Sequence, residues 1–271
     1  MYTTPMSTKQ ILSVLGVLIV LGLIFAFFAS FTKPVPAPTA GDKSAILGGT
    51  LGANGDYQYA DDKPYYRITA DYPATTGLEA AADVQVRTTI EQGLAQEIAK
   101  FKNDSGLEAL TIEDAQIQGL DGERKYALIL EYKKYVSTST VSYAYQVYAD
   151  TLGAHPNTYY LTYTFAKDGT QLSLGDVLKN NPNWLEELSL VVENDVTAQL
   201  KARLADSLPQ GDEGADVTGA IFPEGLAGKE ENFSNFAIDG DTLLILIPPY
   251  QVAAYAAGSF EVRIPLAEMN K

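Results

Sequence analysis

The segment that most constrains the fold is Phe236–Pro265. Phe236 and Ile238 alternate into the turn sequence Asp239-Gly240-Asp241, and Leu243–Ile247 follows as an unbroken apolar run, the pattern of a strand buried on both faces. Pro248-Pro249 must end that strand, because neither ring can donate to a ladder. Tyr250–Ala257 carries apolar residues at helical spacing and stops at Gly258, which can adopt a left-handed cap conformation. Phe260, Val262 and Ile264 then alternate as a last strand, closed by Pro265. The segment predicts strands around a conformationally fixed corner, with core residues at the end of the chain.

Upstream, two stretches carry a single apolar stripe each. Val86, Ile90, Leu94, Ile98 and Phe101 recur three or four apart and predict a helix over Leu78–Lys102, and Leu185, Leu188, Val192, Val196 and Leu200 do the same over Trp184–Leu204. Between and around them the period changes to two. Strands are expected over Tyr65–Pro73, Arg124–Val136, Thr140–Asp150 and Thr158–Ala166, with a short one over Ala115–Gln118. Ser137-Thr138-Ser139 reads as a hairpin loop, so consecutive strands should form an antiparallel meander. The class is α+β: an N-terminal module over 56–150 and a C-terminal module over 151–271, each an antiparallel sheet covered by one long helix.

The N-terminal end is of another kind. Ile11–Phe31 is an uninterrupted, charge-free apolar run, which as a helix extends roughly 31 Å and matches a hydrocarbon core. It exceeds a signal-peptide core and no clean small-x-small cleavage site follows, so the expectation is an uncleaved transmembrane helix with residues 1–10 as a cytoplasmic head and the rest outside the cytoplasm. Residues 32–55, rich in Pro and then Gly, read as a linker. Charge points the same way: 34 acidic against 19 basic residues give a net charge of −15, which repels nucleic acid and attracts cationic partners.

Reactive signals are few. No cysteine is present, which excludes disulfides, thiolate metal sites and a cysteine nucleophile. His155 is the single histidine and has no second His, Cys or nucleophile motif to work with; its plain reading is a turn hydrogen bond. Asp239-x-Asp241 and Asp212-Glu213-x-x-Asp216 lack the ordered ligand loop that calcium requires. Adjacent acids such as Glu186-Glu187 point apart on a helix and do not make a glycosidase pair. No cofactor signature occurs. The candidate binding residues are His155 and the tyrosine stripe Tyr143, Tyr145, Tyr159 and Tyr163, although tyrosine is equally a natural strand former.

Two groups of motifs carry a family resemblance. The first is Gly153-Ala154-His155-Pro156, the strand Thr158–Phe165, Lys167-Asp168-Gly169 and Leu172-Ser173-Leu174-Gly175-Asp176-Val177-Leu178; the second is Tyr250, Tyr255-Ala256, Gly258 and Ile264-Pro265. Together they resemble the extracytoplasmic region of unknown function shared by RsiV-type anti-sigma factors and PdaC-type peptidoglycan deacetylases, from about Tyr65 onward. The resemblance implies a non-enzymatic binding or sensor module of the cell envelope, with lysozyme, another cationic protein or peptidoglycan as partner. An alternative is a cell-wall carbohydrate-acting enzyme or the accessory domain of a peptidoglycan deacetylase system. The head before the apolar run is expected to be too short to bind a sigma factor, and no deacetylase domain is expected after Lys271.

Overall fold

The computed structural model of the chain describes residues 44–120, 122–204 and 217–270. The expected membrane helix Ile11–Phe31 and the first part of the expected linker lie outside them. No helix among the described residues is long and apolar enough to cross a membrane.

The architecture is α+β, with four layers in the order helix, sheet, sheet, helix. Strands β1 (Thr50–Leu51), β2 (Asp56–Lys63), β3 (Tyr66–Pro73), β4 (Tyr126–Val136), β5 (Thr140–Asp150) and β6 (Asn157–Ala166) form one sheet in that order. Its inner face presents Ile68, Leu128, Leu130, Tyr143, Tyr145 and Phe165 to the stripe Val86, Ile90, Leu94, Ile98 and Phe101 of helix α1 (Ala80–Asp104). Strands β7 (Phe236–Asp239), β8 (Thr242–Ile247) and β9 (Phe260–Pro265) form a second, antiparallel sheet. One face of it packs on Leu188, Val192, Val196 and Leu200 of the other long helix, Trp184–Leu204. Its other face meets the first sheet through Ala237, Leu244 and Leu246 against Ala144, with Tyr135 and Tyr160 alongside. That explains why Leu243–Ile247 is apolar throughout: alternate residues serve different layers.

Polar detail fixes how the sheets meet. The edge of β7 donates Phe236 N–H to the Thr162 hydroxyl (3.1 Å), Ile238 N–H to the Ser142 hydroxyl (3.0 Å) and Gly240 N–H to the Val136 carbonyl (3.2 Å). An edge strand that would otherwise expose unpaired donors is thereby capped by two hydroxyls and one main-chain carbonyl of the first sheet.

Several expectations are corrected. β3 and β4 run parallel, joined through α1, so the first sheet is mixed rather than a pure meander. β6, expected to open the C-terminal module, pairs with β5 from Thr140↔Ala166 to Ala149↔Asn157, and the six-stranded sheet therefore runs across the 150/151 boundary. The short strand expected near Ala115–Gln118 is the helix α2 (Ile112–Ile117), begun by the Thr111 hydroxyl, which accepts from the Asp114 amide at 3.1 Å. Only a 3-10 turn, Tyr255–Ala257, forms in the segment with helical spacing after Pro249. Finally, the end of the expected linker belongs to the fold: Thr50 pairs with Gln58, and the buried Glu91 carboxylate accepts from the amides of Ile46 (2.9 Å) and Leu47 (2.7 Å).

Asp83 secures the entry to α1 and carries a prediction. Burial alone would raise its carboxyl, but the Thr76 amide (2.5 Å) and hydroxyl (2.7 Å) and the Arg87 guanidinium (2.8 Å) together hold it below its ordinary 3.8. An unfolded carboxyl then takes up its proton first as pH falls, so this stabilisation is complete above pH 3.8 and is lost as pH drops through the lower folded value. Asp83→Ala is expected to cost about 1–3 kcal/mol at neutral pH, and the gap in melting temperature from the parent should close below pH 3.8; a gap independent of pH would refute the assignment.

Candidate functional site

Two loops far apart in sequence, one of them leaving the exposed end of β5, build one aromatic cluster. β5 delivers Tyr148 to the surface, 36% exposed. The chain then turns at Leu152, whose amide donates to the Asp150 carboxylate (2.8 Å) and whose φ of 61° is left-handed. This turn presents His155. On the other side, Pro248-Pro249 ends β8 and Tyr250 follows at φ 69°, a conformation that is costly for a bulky residue and is held only by its surroundings. Tyr250 is 52% exposed.

The rings are mutually fixed. His155 stacks on Tyr255 at 3.8 Å between centroids and 19° between planes, and Tyr250 lies 5.7 Å from His155 and 5.4 Å from Tyr255. His155 Nδ1 is 2.9 Å from the Pro156 carbonyl, which can only accept, so Nδ1 carries a proton, and Nε2 shares a 3.0 Å hydrogen bond with the Tyr250 hydroxyl, which donates when the ring is neutral. The Tyr255 hydroxyl donates to the same Pro156 carbonyl at 2.9 Å. Tyr148 stands near the group: partial burial, the Asp150 carboxylate and the nearby Tyr255 hold its phenol above the ordinary range.

A clamp beneath the cluster sets the Tyr250 loop. Gln251 donates its side-chain amide to the carbonyls of Gly225 (3.0 Å) and Asn232 (2.9 Å), Phe222 N–H donates to the Val252 carbonyl (2.8 Å), and Ile221 bridges to Ala253. Gly225 has to be glycine, since a Cβ there would lie 1.8 Å from the Gln251 carbonyl oxygen. Arg203 holds the following turn, donating to the Ala257 carbonyl with its guanidinium 4.0 Å over the Phe260 ring.

The sequence candidates separate. His155 lies in the cluster. Tyr143 and Tyr145 are fully buried under α1 and cannot present a binding face; burial pushes both phenols up, and among the described residues neither hydroxyl has a hydrogen-bond partner. Tyr159 and Tyr163 are half-buried on the same inner face, Tyr159 donating to Glu97 and Tyr163 reaching over Gly93. The alternation that suggested a groove is the core side of the sheet. Tyr250 and Tyr255 were legible as motif residues but not as site residues, because nothing in the spacing brings them to a histidine some hundred positions earlier. Among the described residues no group of three or more His, Asp or Glu is placed to hold a metal, and the rings offer stacking area and hydrogen bonds rather than a nucleophile with its base.

Residues 175–267 match the family described as "Protein of unknown function (DUF3298)". The chain is 28% identical over 200 residues to the peptidoglycan-N-acetylmuramic acid deacetylase PdaC of Bacillus subtilis. That alignment takes in 67% of this chain and 40% of PdaC, so the chain spans well under half of its curated relative. In fold it is similar to the crystal structure of a DUF3298 family member from Bacteroides fragilis, with a TM-score of 0.50 at 14% identity over 79% of this chain and 90% of that one. A DUF3298 protein from Pseudomonas aeruginosa aligns at a TM-score of 0.48 and 16% identity, over 79% of this chain and 92% of that one. The resemblance read from the sequence is therefore supported by two matches: residues 175–267 match the DUF3298 family, and the chain is similar to PdaC, consistent with a PdaC/RsiV-like region.

Proposed function

We propose that the chain is a binding or sensor module of the cell envelope, anchored through Ile11–Phe31 with its folded region outside the cytoplasm, and that it docks a cationic protein, lysozyme being the candidate, on the ring cluster. One observation carries this reading: His155, Tyr250 and Tyr255 lock one another at a solvent-exposed position on a strained loop. Preset aromatic side chains bury large area at low entropic cost, the property of binding hot spots. The net charge of −15 would steer a basic partner toward it.

The full-length chain in detergent micelles, titrated calorimetrically with lysozyme at about 0.1 M and about 1 M salt, tests the docking. Attraction between exposed charges fades as the Debye length falls from about 10 Å to about 3 Å, whereas an interface centred on buried rings keeps a saturable heat. Tyr250→Ala should then lower affinity by at least about tenfold. No saturable heat at the lower salt would sink the lysozyme reading. Protease added to intact spheroplasts should remove the folded region, and its protection would sink the topology. The second reading, an accessory region of a peptidoglycan deacetylase system, is favoured by the similarity to PdaC over 40% of that protein's length.

A further inference from the structure

A separate cavity of about 320 Å³ opens beside the seam between the two sheets, at the small end of the roughly 300–1,000 Å³ typical of ligand sites. Its apolar wall includes Trp184, the one tryptophan of the chain, together with Leu172 and Phe236. The indole is held beside Gly175, where an added Cβ would come within 3.7 Å of it. Gln171, Glu230 and Glu231 stand around the same space and are exposed.

The polar groups of this wall divide into engaged and free. The Thr162 hydroxyl accepts from the Phe236 amide and donates to the Ser234 carbonyl (3.3 Å), the Ser234 hydroxyl donates to the Glu231 carbonyl (3.0 Å), and the Ser173 hydroxyl donates to Asp176 (2.6 Å). Among the described residues the Glu230 and Glu231 carboxylates pair with no lysine or arginine: every ion pair formed lies elsewhere. The free groups are thus two carboxylates and the Gln171 side-chain amide, which brings an acceptor and two donors, beside one aromatic face. What marks this wall is its two negative charges, which a neutral sugar ring would leave uncompensated. A donor-only cation on an apolar stem suits what is left, since its charge can meet the carboxylates while its methylenes lie against the indole and Leu172.

We propose that this cavity is a second binding site, which takes a lysine side chain presented by a polypeptide. The site is distinct from the His155–Tyr250–Tyr255 cluster and does not depend on that cluster's function. Because Trp184 is the single tryptophan, fluorescence of the full-length chain excited at the red edge of the absorption band, where the 17 tyrosines do not absorb, reports this wall alone. Nα-acetyl-lysine-N-methylamide should change it saturably, with matching heat in calorimetry. The Nε-acetylated analogue should bind at least about tenfold more weakly, having lost its charge-assisted hydrogen bonds. A Glu230→Gln/Glu231→Gln double variant, altered only at exposed positions, should keep its melting temperature and lose the response to the same extent. The proposal is overturned by the absence of a saturable signal with the lysine probe in both measurements, by equal binding of the Nε-acetylated analogue, or by saturation with N-acetylglucosamine in place of lysine.

Discussion

Leu188→Asp is expected to abolish cooperative unfolding of the three-stranded sheet and its helix at ordinary temperature. Leu188 is 0% exposed and lies in the cluster that joins the Trp184–Leu204 helix to β7, β8 and β9. Removing such a side chain costs about 2–5 kcal/mol. Placing a carboxylate there without a partner adds several more, or forces the acid to be neutral. The sum rivals the whole stability of an ordinary domain, about 5–15 kcal/mol. Leu190→Asp is the control: the residue is on the same helix but 56% exposed, so its melting temperature should stay within a few degrees of the parent. Circular dichroism melts of the two variants decide the matter. Equal melts would mean that this helix does not bury the stripe that the sequence marks.

Much of the fold was legible because single helices and strands declare themselves by period. The stripe Val86, Ile90, Leu94, Ile98 and Phe101 and the alternation Phe260, Val262, Ile264 each point to one buried face, and each is buried. What was not legible depends on partners distant in sequence. Strand β2 reads Asp-Tyr-Gln-Tyr-Ala-Asp-Asp-Lys, too polar to declare a strand, because it lies toward the rim of the sheet and only Tyr57 is deeply buried. Its acids are used locally: Asp61 pairs with Lys102 at 2.7 Å and Asp62 with Lys125 at 2.6 Å. Parallel pairing of β3 with β4 follows from how α1 crosses over, which no local pattern encodes. The tyrosine stripe shows the same limit. Period two marks Tyr143 and Tyr145 as one face of a strand but does not say whether that face meets solvent or a helix, and α1 decides it.

The ring cluster was only half legible for a related reason. Pro248-Pro249 predicts a stop, yet the left-handed turn at Tyr250 is imposed by the segment packed under it. That support rests on a glycine which the sequence gives no cause to single out. Gly225→Ala is therefore expected to have an effect out of proportion to one methyl group. The added Cβ would meet the Gln251 carbonyl oxygen at 1.8 Å and its carbon at 2.7 Å, both backbone atoms, so one of the two segments has to move. Overpacking of this kind costs about 1–3 kcal/mol. A shift of Gln251 also displaces its neighbour Tyr250, whose hydroxyl must stay near His155 Nε2 for their 3.0 Å bond to survive. Because His155 is the single histidine, its ring-proton resonances report this without a partner present. In the parent they should lie upfield, shielded by the Tyr255 ring stacked at 3.8 Å. In Gly225→Ala they should move toward the free-histidine position, accompanied by a lower melting temperature, and any affinity carried by the cluster should fall as it does in Tyr250→Ala. A Gly225→Ala chain with unchanged melting and unchanged His155 resonances would show that the clamp does not set the loop, and the preset character of the ring cluster would lose its physical basis.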